Sequence, residues 1–372
     1  MKKTLVICSN YAWTIKNFRL PLIHEFKKKG YRVEVITQYD GNEAYLAKIV
    51  DKVRPLKISR KGLNPINDFL TFINILWCLI RIRPCIFLPF TIKPVIYGSL
   101  AASLLNIQTI ATITGLGTVF IKETWITILV KKMYLFALRN ADTVFFQNCS
   151  DRNMFLEEKL IQPKQVRLIP GSGVDIKKFV NLETSSQFPE KATFILIARL
   201  LWDKGVREYV SAARKVKSYH PEVKFQLLGP LGVENKTSIP KNDVEIWHSE
   251  GIIEYLGEAK DVRPFIKRAS CIVLPSYREG LSRVLLESSS MSRPIIATDV
   301  PGCREVVEDK STGFLCKVRS VDDLAEKMLS FINLTNAEKI EMGAKGRKKV
   351  ALEFSIEEVC YKYLKVIESL PK

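Results

Sequence analysis

Histidine is scarce in this sequence, with only His24, His220 and His248 among 372 residues. None of them stands in a motif that would orient a nucleophile or bind a metal ion, and no metal-ligand cluster is evident elsewhere. A lone histidine of this kind is usually structural. We therefore assign the three histidines no role in a site and expect no metal.

Paired cysteines are missing as well. The eight cysteines are scattered, mostly among apolar neighbours, and no two have the CxxC spacing of a zinc or redox motif. This pattern predicts buried free thiols in a reducing cytosol. The cysteines are Cys8, Cys78, Cys85, Cys149, Cys271, Cys303, Cys316 and Cys360.

No apolar run has the composition expected of a membrane span. Residues 94–121 carry no charge, but they include Asn106, Gln108 and several glycine, serine and threonine residues. We predict a small-residue helix, a strand and a loop there. Residues 69–82 are more apolar, but they are only about one buried helix long. No segment is expected to cross a membrane.

Acidic residues are few in the first half of the chain. Residues 1–188 hold 27 Lys/Arg and 13 Asp/Glu, a net charge of +14, which leaves +4 of the total +18 for the rest. A basic surface of this kind suits an anionic membrane leaflet, a diphosphate or a nucleic acid. A surface that is merely well solvated is the alternative.

Short apolar runs alternate with helical patterns along the chain, which favours parallel sheets with helices on both faces. A polar stretch without periodicity at 178–192, which contains Asn181, Ser185 and Ser186, predicts an interdomain linker. We therefore expect two doubly wound domains facing each other across a cleft, at 1–180 and 190–354. A last helix at 355–372 is expected to cross back over the first domain. The strands predicted in the second half are residues 193–198, 223–228, 252–256, 271–274 and 294–298.

Two cations follow the first strand of the second half. Arg199 and Lys204 are five residues apart, in a loop that opens a predicted helix at Val206. A helix N-terminus adds partial positive charge and free N–H groups, and both side chains can hold phosphate oxygens. The loop therefore predicts a diphosphate site, with two solvated surface charges as the alternative.

Two glutamates follow the strand at 271–274. Glu279 lies in the loop beside Gly280, and Glu287 lies eight residues later in a predicted helix, about 12 Å away along its axis. Carboxylates accept hydrogen bonds from hydroxyl groups, so we expect Glu279 to bind a sugar and Glu287 a ribose. The alternatives are a favourable charge at a helix N-terminus for Glu279 and an exposed helix carboxylate for Glu287.

These residues, in order and spacing, resemble the retaining glycosyltransferases of family 4. The similarity comprises the R-x4-K pair, the E-x7-E pair, the G-x-G-V-D run at 171–175 and the glycine turn at 301–305. It covers essentially the whole chain and is more specific in the second half. It implies a GT-B fold of two Rossmann-like domains. The implied catalytic residues are Arg199, Lys204 and Glu279, and the implied donor-binding residues are these three with Gly280, Leu281, Ser282, Glu287 and Gly173.

In the first half, residues 17–21 and 112–117 are similar to a branch of that family with O-antigen, capsule and N-acetylgalactosaminyl transferases. The resemblance implies a UDP-sugar donor, with UDP-N-acetylgalactosamine favoured, and a polyprenyl-diphosphate-linked saccharide as acceptor. It also implies a peripheral protein on the cytoplasmic face of the plasma membrane. The implied acceptor-side residues are Asn17, Arg19, Thr114, Gly115 and Gly117. The chain departs from the family in lacking a Gly-Gly loop after the first strand and a histidine near Thr114.

The resemblance implies transfer by front-face attack, in which the departing β-phosphate oxygen takes the proton of the acceptor. Fixed cations would stabilise the leaving diphosphate, so neither a metal nor another cofactor is expected. A sugar-nucleotide epimerase of similar architecture would need a histidine that the expected loops lack. A nucleic-acid-binding protein would explain the charge but not the glutamates. A dinucleotide oxidoreductase would need a GxGxxG after an early strand, and none occurs.

Contact with an anionic membrane would explain the positive charge of the first half of the chain. Each aromatic candidate for this contact has burial in the core as its alternative. The candidate cations are Lys27, Lys28, Lys29, Arg60, Lys61, Lys131 and Lys132, and the candidate aromatic residues are Trp13, Phe69, Phe72, Trp77 and Trp125.

Overall fold

A computed structural model of the chain describes residues 3–58, 64–117, 120, 123–180, 188–189, 191–233, 235 and 237–371. Two compact units make up the chain. The first comprises Met1–Ser172 with Ile356–Lys372, and the second comprises Gly173–Ser355.

The division between the units falls earlier than the predicted linker at 178–192. The N–H of Val174 donates to the carbonyl of Phe354, and the hydroxyl of Ser290 donates to the carbonyl of Phe179. These bonds tie the residues that follow Gly173 to the second unit. The predicted linker residues Asn181, Ser185 and Ser186 lie outside the described residues.

Each unit is built on one parallel sheet. In the described part of the first unit the strands are β1 (Thr4–Tyr11), β2 (Arg32–Gln38), β3 (Lys52–Pro55), β4 (Ile86–Pro89), β5 (Gln108–Ile113), β6 (Thr143–Phe146) and β7 (Val166–Leu168). In the second they are β8 (Thr193–Ile197), β9 (Lys224–Leu228), β10 (Glu254–Tyr255), β11 (Cys271–Leu274), β12 (Ile295–Thr298) and β13 (Gly313–Cys316). The strand orders are β3-β2-β1-β4-β5-β6-β7 and β10-β9-β8-β11-β12-β13.

Helices cover both faces of each sheet. Those before the second unit are α1 (Ala12–Phe18), α2 (Leu20–Lys28), α3 (Glu43–Ala47), α4 (Pro65–Ile82), α5 (Ser99–Leu104), α6 (Trp125–Leu138) and α7 (Cys149–Glu157). Those of the second unit are α8 (Val206–Tyr219), α9 (Lys241–Ser249), α10 (Arg263–Arg268), α11 (Arg283–Ser290), α12 (Val321–Ile332) and α13 (Asn336–Glu353). The last helix, α14 (Ile356–Ser369), belongs to the first unit.

Alternation along the strands divides each core into two layers. In β1, Leu5 and Ile7 pack with α2 and α14, whereas Val6 and Cys8 pack with α4, α5 and α6 on the other face. Successive side chains of a strand point to opposite faces, so a continuous apolar run is what a sheet covered on both sides requires. The predicted fold class of two doubly wound α/β units is confirmed.

Helix α4 is longer than the expected residues 69–82, and most of it is not buried. It begins at Pro65, where the side chain of Asn64 accepts hydrogen bonds from two backbone N–H groups, and its inner face packs Ile75 and Leu79 on the sheet. Among the described residues it is the one helix long and apolar enough to cross a membrane by length and composition, a test that core helices of soluble proteins also pass. Only 28% of it is buried. The expectation of a buried helix is therefore wrong for its outer face.

Residues 94–113 follow the prediction for the uncharged segment. A helical stretch from Pro94 to Leu104 leads into β5, and residues 114–117 form a loop. Residues 118, 119 and 121 lie outside the described residues.

Candidate functional site

The predicted donor residues of the second unit lie at the carboxyl edge of its sheet. Strands β8, β11 and β12 are neighbours, so the loops that follow them meet at one edge. The first loop carries Arg199 and Lys204, the second carries Glu279, and the third is the glycine turn around Gly302.

Lys204 and Glu279 form an ion pair. The Nζ atom of Lys204 lies 2.5 Å from Oε1 of Glu279, and the two side chains are only 18% and 14% exposed. Residues 75 positions apart in sequence thus share one small site. Because both charges are largely shielded from water, their mutual attraction is only weakly screened.

Backbone contacts hold the Lys204 loop against the Glu279 loop. The N–H of Tyr277 donates to the carbonyl of Asp203 at 2.9 Å, and the hydroxyl of Ser276 donates to the same oxygen at 3.2 Å. Gly205, at φ +70°, follows Lys204, and a Cβ there would collide with the carbonyl oxygen of Pro275. A side chain at Gly205 would therefore push the two loops apart.

The glycine turn supports Glu279 from the other side. The N–H of Glu279 donates to the carbonyl of Pro301, and the N–H of Ser282 donates to the carbonyl of Gly302, both at 3.1 Å. A Cβ on Gly302, which has φ +82°, would lie 2.6 Å from the backbone of Glu279. The N–H of Gly302 donates to the carboxylate of Glu305 at 2.7 Å, which fixes the turn itself.

Arg199 is exposed at the end of β8. Its carbonyl accepts a hydrogen bond from the N–H of Leu201, which sets the turn towards Lys204. In the part of the chain that the structure describes, its guanidinium forms no ion pair. This cation is thus open to an anion from solution.

Glu287 is buried in α11 and only 8% exposed. Burial raises the pKa of its carboxyl, while the charges of Arg283 and Lys178 act in the opposite direction. The Nε of Arg283 donates to it at 2.6 Å. The alternative of an exposed helix carboxylate is therefore wrong.

The other predicted donor residues flank these groups. Gly280 and Leu281 are half-buried, and Ser282 is buried at the N-cap of α11. Gly173 is the first residue of the second unit. Near it, the Asp175 carboxylate accepts hydrogen bonds from the N–H groups of Lys177 and Lys178, which is a structural role.

The predicted acceptor residues do not form one cluster of exposed groups. Arg19 is only 5% exposed, with its guanidinium 4.1 Å from the centre of the Phe90 ring. The amide of Asn17 donates to the carbonyl of Trp13 within α1. Arg19 thus has a packing role in the first unit.

The remaining acceptor candidates, Thr114, Gly115 and Gly117, follow β5 at the carboxyl edge of the first sheet. Thr114 and Gly115 are half-buried and Gly117 is exposed. Open α/β sheets bind ligands at this edge, so the three residues remain candidates for acceptor binding.

One cluster beside the Glu279 loop escaped sequence reasoning. The hydroxyl of Tyr277 donates to Glu208 at 2.8 Å, and Arg319 stacks over the Tyr277 ring. Burial, with help from the Glu208 charge, raises the pKa of Tyr277 to about 12, so its hydroxyl keeps its proton. No short motif links these three residues. The one indication in the sequence was Glu208, a glutamate in the first turn of α8 between apolar residues of that helix.

The residues proposed for membrane contact fall on different layers of the first unit. Phe69, Trp77 and Trp125 are exposed on α4 and α6, whereas Phe72 packs against the core. Lys131 is enclosed by Glu123 and Glu158, at 2.9 Å and 2.7 Å. Trp13 is exposed on α1, and Lys27, Lys28 and Lys29 lie at α2 on the opposite face of the sheet. Arg60 and Lys61 lie outside the described residues.

The cysteines are all free thiols, and most are buried. Where the structure describes the chain, no group of three or more His, Cys, Asp or Glu side chains is arranged to hold a metal ion.

Two family descriptions match the chain. Residues 5–148 match "Glycosyl transferase 4-like" and residues 180–349 match "Glycosyl transferases group 1". A relative from Campylobacter jejuni, 27% identical over 98% of each chain, is an N,N'-diacetylbacillosaminyl-diphospho-undecaprenol alpha-1,3-N-acetylgalactosaminyltransferase. Another, from Escherichia coli, is a UDP-Gal:alpha-D-GlcNAc-diphosphoundecaprenol alpha-1,3-galactosyltransferase, 22% identical over 80% of this chain and 78% of the relative.

Solved structures share the fold at low sequence identity. Sucrose-phosphate synthase from Thermosynechococcus elongatus superposes with a TM-score of 0.80 at 17% identity, over 99% of this chain and 98% of that one. The Anabaena protein HepE, solved in complex with UDP and glucose, gives 0.79 at 15% identity, over 99% and 100%. The expected GT-B fold is confirmed.

Proposed function

Because this chain is a glycosyltransferase, with a 4-like first half and a group 1 second half, we propose that it uses a UDP-N-acetylhexosamine donor, with N-acetylgalactosamine favoured. The proposed acceptor is a polyprenyl-diphosphate-linked saccharide of bacterial surface-glycan or glycoprotein-glycan assembly. Two relatives support this choice, since both are named for an acceptor on a diphospho-undecaprenol lipid. The UDP bound to Anabaena HepE supports the nucleotide.

The observation that carries the proposal is the Lys204–Glu279 pair at the carboxyl edge of the second sheet. A diphosphate bound there competes with Glu279 for the ammonium group of Lys204, and Arg199 supplies a second cation. Glu279, once released, accepts hydrogen bonds from the hydroxyl groups of the transferred sugar. Binding of the donor thus replaces one ion pair by another and by new hydrogen bonds, which limits the desolvation penalty.

Glu287 serves the other end of the nucleotide in this proposal. Its carboxylate accepts hydrogen bonds from the ribose hydroxyl groups, while the charges of Arg283 and Lys178 offset part of the rise in its pKa that burial causes. Placing the ribose at α11 and the sugar at Glu279 leaves the diphosphate at the cations. Each polar part of the donor then has a partner of suitable chemistry.

The reaction that fits this arrangement is transfer with retention of configuration. The acceptor hydroxyl oxygen attacks the anomeric carbon from the face on which the leaving group departs. The bond from that carbon to the β-phosphate oxygen breaks, and this oxygen takes the acceptor proton, which yields UDP and the new glycoside. Arg199 and Lys204 stabilise the growing negative charge, so the proposal requires neither a protein base nor a metal.

A peripheral position on the membrane completes the proposal. The outer faces of α4 and α6 carry eleven exposed large apolar residues, which are Ile66, Phe69, Leu70, Ile73, Trp77 and Ile80 on α4, and Trp125, Ile128, Leu129, Leu135 and Phe136 on α6. Exposed Lys132 lies on α6, exposed Arg139 directly follows that helix, and Arg81 stacks on Trp77 with 3.5 Å to the ring centre. Apolar side chains among cations suit an anionic lipid interface.

The test is incubation of the protein with radiolabelled UDP-sugars and a panel of undecaprenyl-diphosphate-linked saccharides. Label is expected in the lipid fraction with a UDP-N-acetylhexosamine, in excess chelator as well as without it. Release of free sugar without transfer would contradict the proposal and favour the epimerase alternative. Strict dependence on a metal would overturn the metal-free mechanism.

A further inference from the structure

A groove of about 650 Å³ runs along α4 of the first unit. Its apolar wall is formed by Ile58, Leu70, Ile73 and Trp77. Leu70, Ile73 and Trp77 are exposed. The residues that the structure describes therefore leave this apolar surface open, which is the usual mark of a binding site rather than of a core.

The groove begins at the edge of the sheet where ligands bind. Lys57 and Ile58 follow β3, so they lie just beyond the carboxyl end of that strand. The lining residues on α4 extend from Asn67 to Trp77, which is about 15 Å along the helix axis. The groove thus leads from the carboxyl edge of the first sheet to the exposed outer face of α4.

Polar contacts hold Lys57 against the middle of this stretch of α4. The N–H of Lys57 donates to the side chain of Asn74 at 3.3 Å, and the hydroxyl of Thr71 donates to the carbonyl of Lys57 at 2.9 Å. Within the described part of the chain, the ammonium group of Lys57 has no ion pair, and it is exposed. A cation therefore lies beside the apolar wall of the groove, level with Thr71 and Asn74.

We propose that this groove holds the first part of the hydrocarbon chain of a polyprenyl-phosphate lipid, with Lys57 paired to its phosphate. The inference rests on the proposed function, because it treats this lipid as the carrier of the acceptor saccharide. The saccharide then lies at the carboxyl edge of the sheet, and the chain continues past Trp77 towards the lipid interface. The apolar wall suits the hydrocarbon chain, and the exposed cation of Lys57 beside that wall suits the phosphate.

Direct lipid binding tests the groove without any turnover. Wild-type protein and the double variant Ile73→Ser/Trp77→Ala are titrated in detergent with undecaprenyl phosphate, with phosphatidylglycerol and with inorganic diphosphate. The double variant is expected to bind undecaprenyl phosphate about tenfold less tightly or worse, since it removes two apolar contacts. Leu352→Ser, an exposed apolar change in the second unit, is the control and should bind as wild type does. Thermal melting verifies that both variants fold.

Two results of this titration would overturn the assignment. One is equal affinity of wild type and the double variant for undecaprenyl phosphate. The other is equal affinity of wild type for phosphatidylglycerol or for diphosphate alone, which would show that the groove does not select the polyprenyl chain.

Chain-length dependence of transfer gives a second readout. For an acceptor on undecaprenyl diphosphate, the double variant is expected to raise KM about tenfold and leave kcat and the KM of the donor unchanged. For an acceptor on a chain of one isoprene unit, KM should match that of wild type. Equal increases for the two acceptors would contradict the groove. Lipid binding without transfer of any sugar would instead count against the proposed function and leave the groove in place.

Discussion

At the scale of single residues, Lys204 and Glu279 form the centre of the site. Neither charge is exposed enough to be stabilised by water alone, and each has the other within hydrogen-bonding distance. A phosphate group that approaches Lys204 competes with a carboxylate already in place. We therefore expect the site to favour a ligand that also supplies hydroxyl donors for Glu279, as a sugar nucleotide does and a free phosphate does not.

Removing the ammonium group of Lys204 is expected to slow the transfer itself. Lys204→Ala should lower kcat by about 100-fold or more, because a charge that stabilises the leaving diphosphate is lost. The KM of the acceptor should change little. Lys241→Ala, which removes a charge of the same kind from exposed α9, is the control and should behave as wild type. Turnover of Lys204→Ala near that of wild type would remove Lys204 from the mechanism.

We expect the buried charge of Glu287 to lower the stability of the fold, while the same carboxylate serves binding of the donor. Burial raises the pKa of its carboxyl, so holding the charge at neutral pH lowers the stability of the fold relative to low pH. Glu287→Gln is expected to raise Tm at neutral pH, and this gain should vanish as the pH falls and the wild-type carboxyl becomes protonated. The same variant should raise the KM of the donor. A lower Tm at neutral pH would show that the Arg283 pair outweighs the burial penalty.

The sequence predicts which charged residues of the second unit are candidates for the donor site, but it does not predict how they pair. Arg283 and Glu287 are four residues apart on one helix, so their contact was open to prediction from spacing. Lys204 and Glu279 meet only because β8 and β11 are neighbours in the sheet, which a pattern of residues does not reveal. The packing of Arg19 on Phe90 was not predictable either, because these two residues are far apart in sequence and meet only in the folded unit.

At the scale of elements, two glycine turns shape the site. Gly205 lets the loop after β8 lie against Pro275, and Gly302 lets the turn after β12 lie against Glu279. Both have positive φ, a conformation in which side chains are strained, and both are crowded by backbone atoms. The ion pair depends on these close approaches between loops.

Filling the space at Gly205 is expected to separate the loops. Gly205→Ala should lower the free energy of unfolding by about 2 kcal/mol or more, from backbone strain together with the collision with Pro275. It should also lower kcat, since Lys204 moves away from Glu279. Gly251→Ala is the matched control, because Gly251 has nearly the same φ, +68°, with nothing within 4 Å of its Cβ position. Urea unfolding and steady-state kinetics measure the two effects. Similar losses of stability and of kcat in the two variants would show that backbone strain causes them, without a contribution from the collision with Pro275.

The elements themselves were largely predictable from the sequence. The strand at 271–274 has the predicted bounds, because a short apolar run inside a covered parallel sheet gives a clear signal. The edge strand β10 is shorter than the predicted residues 252–256, since pairing on one side only leaves its ends outside the ladder. The exposed face of α4 was not predictable. The sequence of an apolar helix face is the same whether that face packs on the protein core or contacts a membrane or another molecule.

At the scale of the whole molecule, the exposed apolar residues are concentrated in the first unit. Those of α4 and α6 lie on the side of its sheet opposite α2 and α14, so the apolar outer surface belongs to one layer. The excess of positive charge belongs to the same half of the sequence. A membrane-facing first unit accounts for these two features together.

Vesicle flotation tests the membrane-facing layer. The protein should float with vesicles that contain phosphatidylglycerol at low salt and less so at high salt, since the electrostatic part of the attraction is screened. Trp125→Ser/Phe136→Ser should weaken flotation at both salt concentrations. Leu352→Ser, an exposed apolar change in the second unit, should leave it unchanged. Flotation that is unaffected by the α6 changes would exclude this surface from membrane contact.

In the proposed site, Arg199 and Lys204 bind the diphosphate of a uridine nucleotide at the edge of the second sheet. Titration calorimetry of UDP and of uridine, with wild type and with Arg199→Ala/Lys204→Ala, measures this directly. Wild type is expected to bind UDP about 100-fold or more tighter than uridine, because two charge-assisted contacts depend on the diphosphate. In the double variant this ratio should fall close to one. A ratio that stays at its wild-type value in the double variant would contradict the assignment.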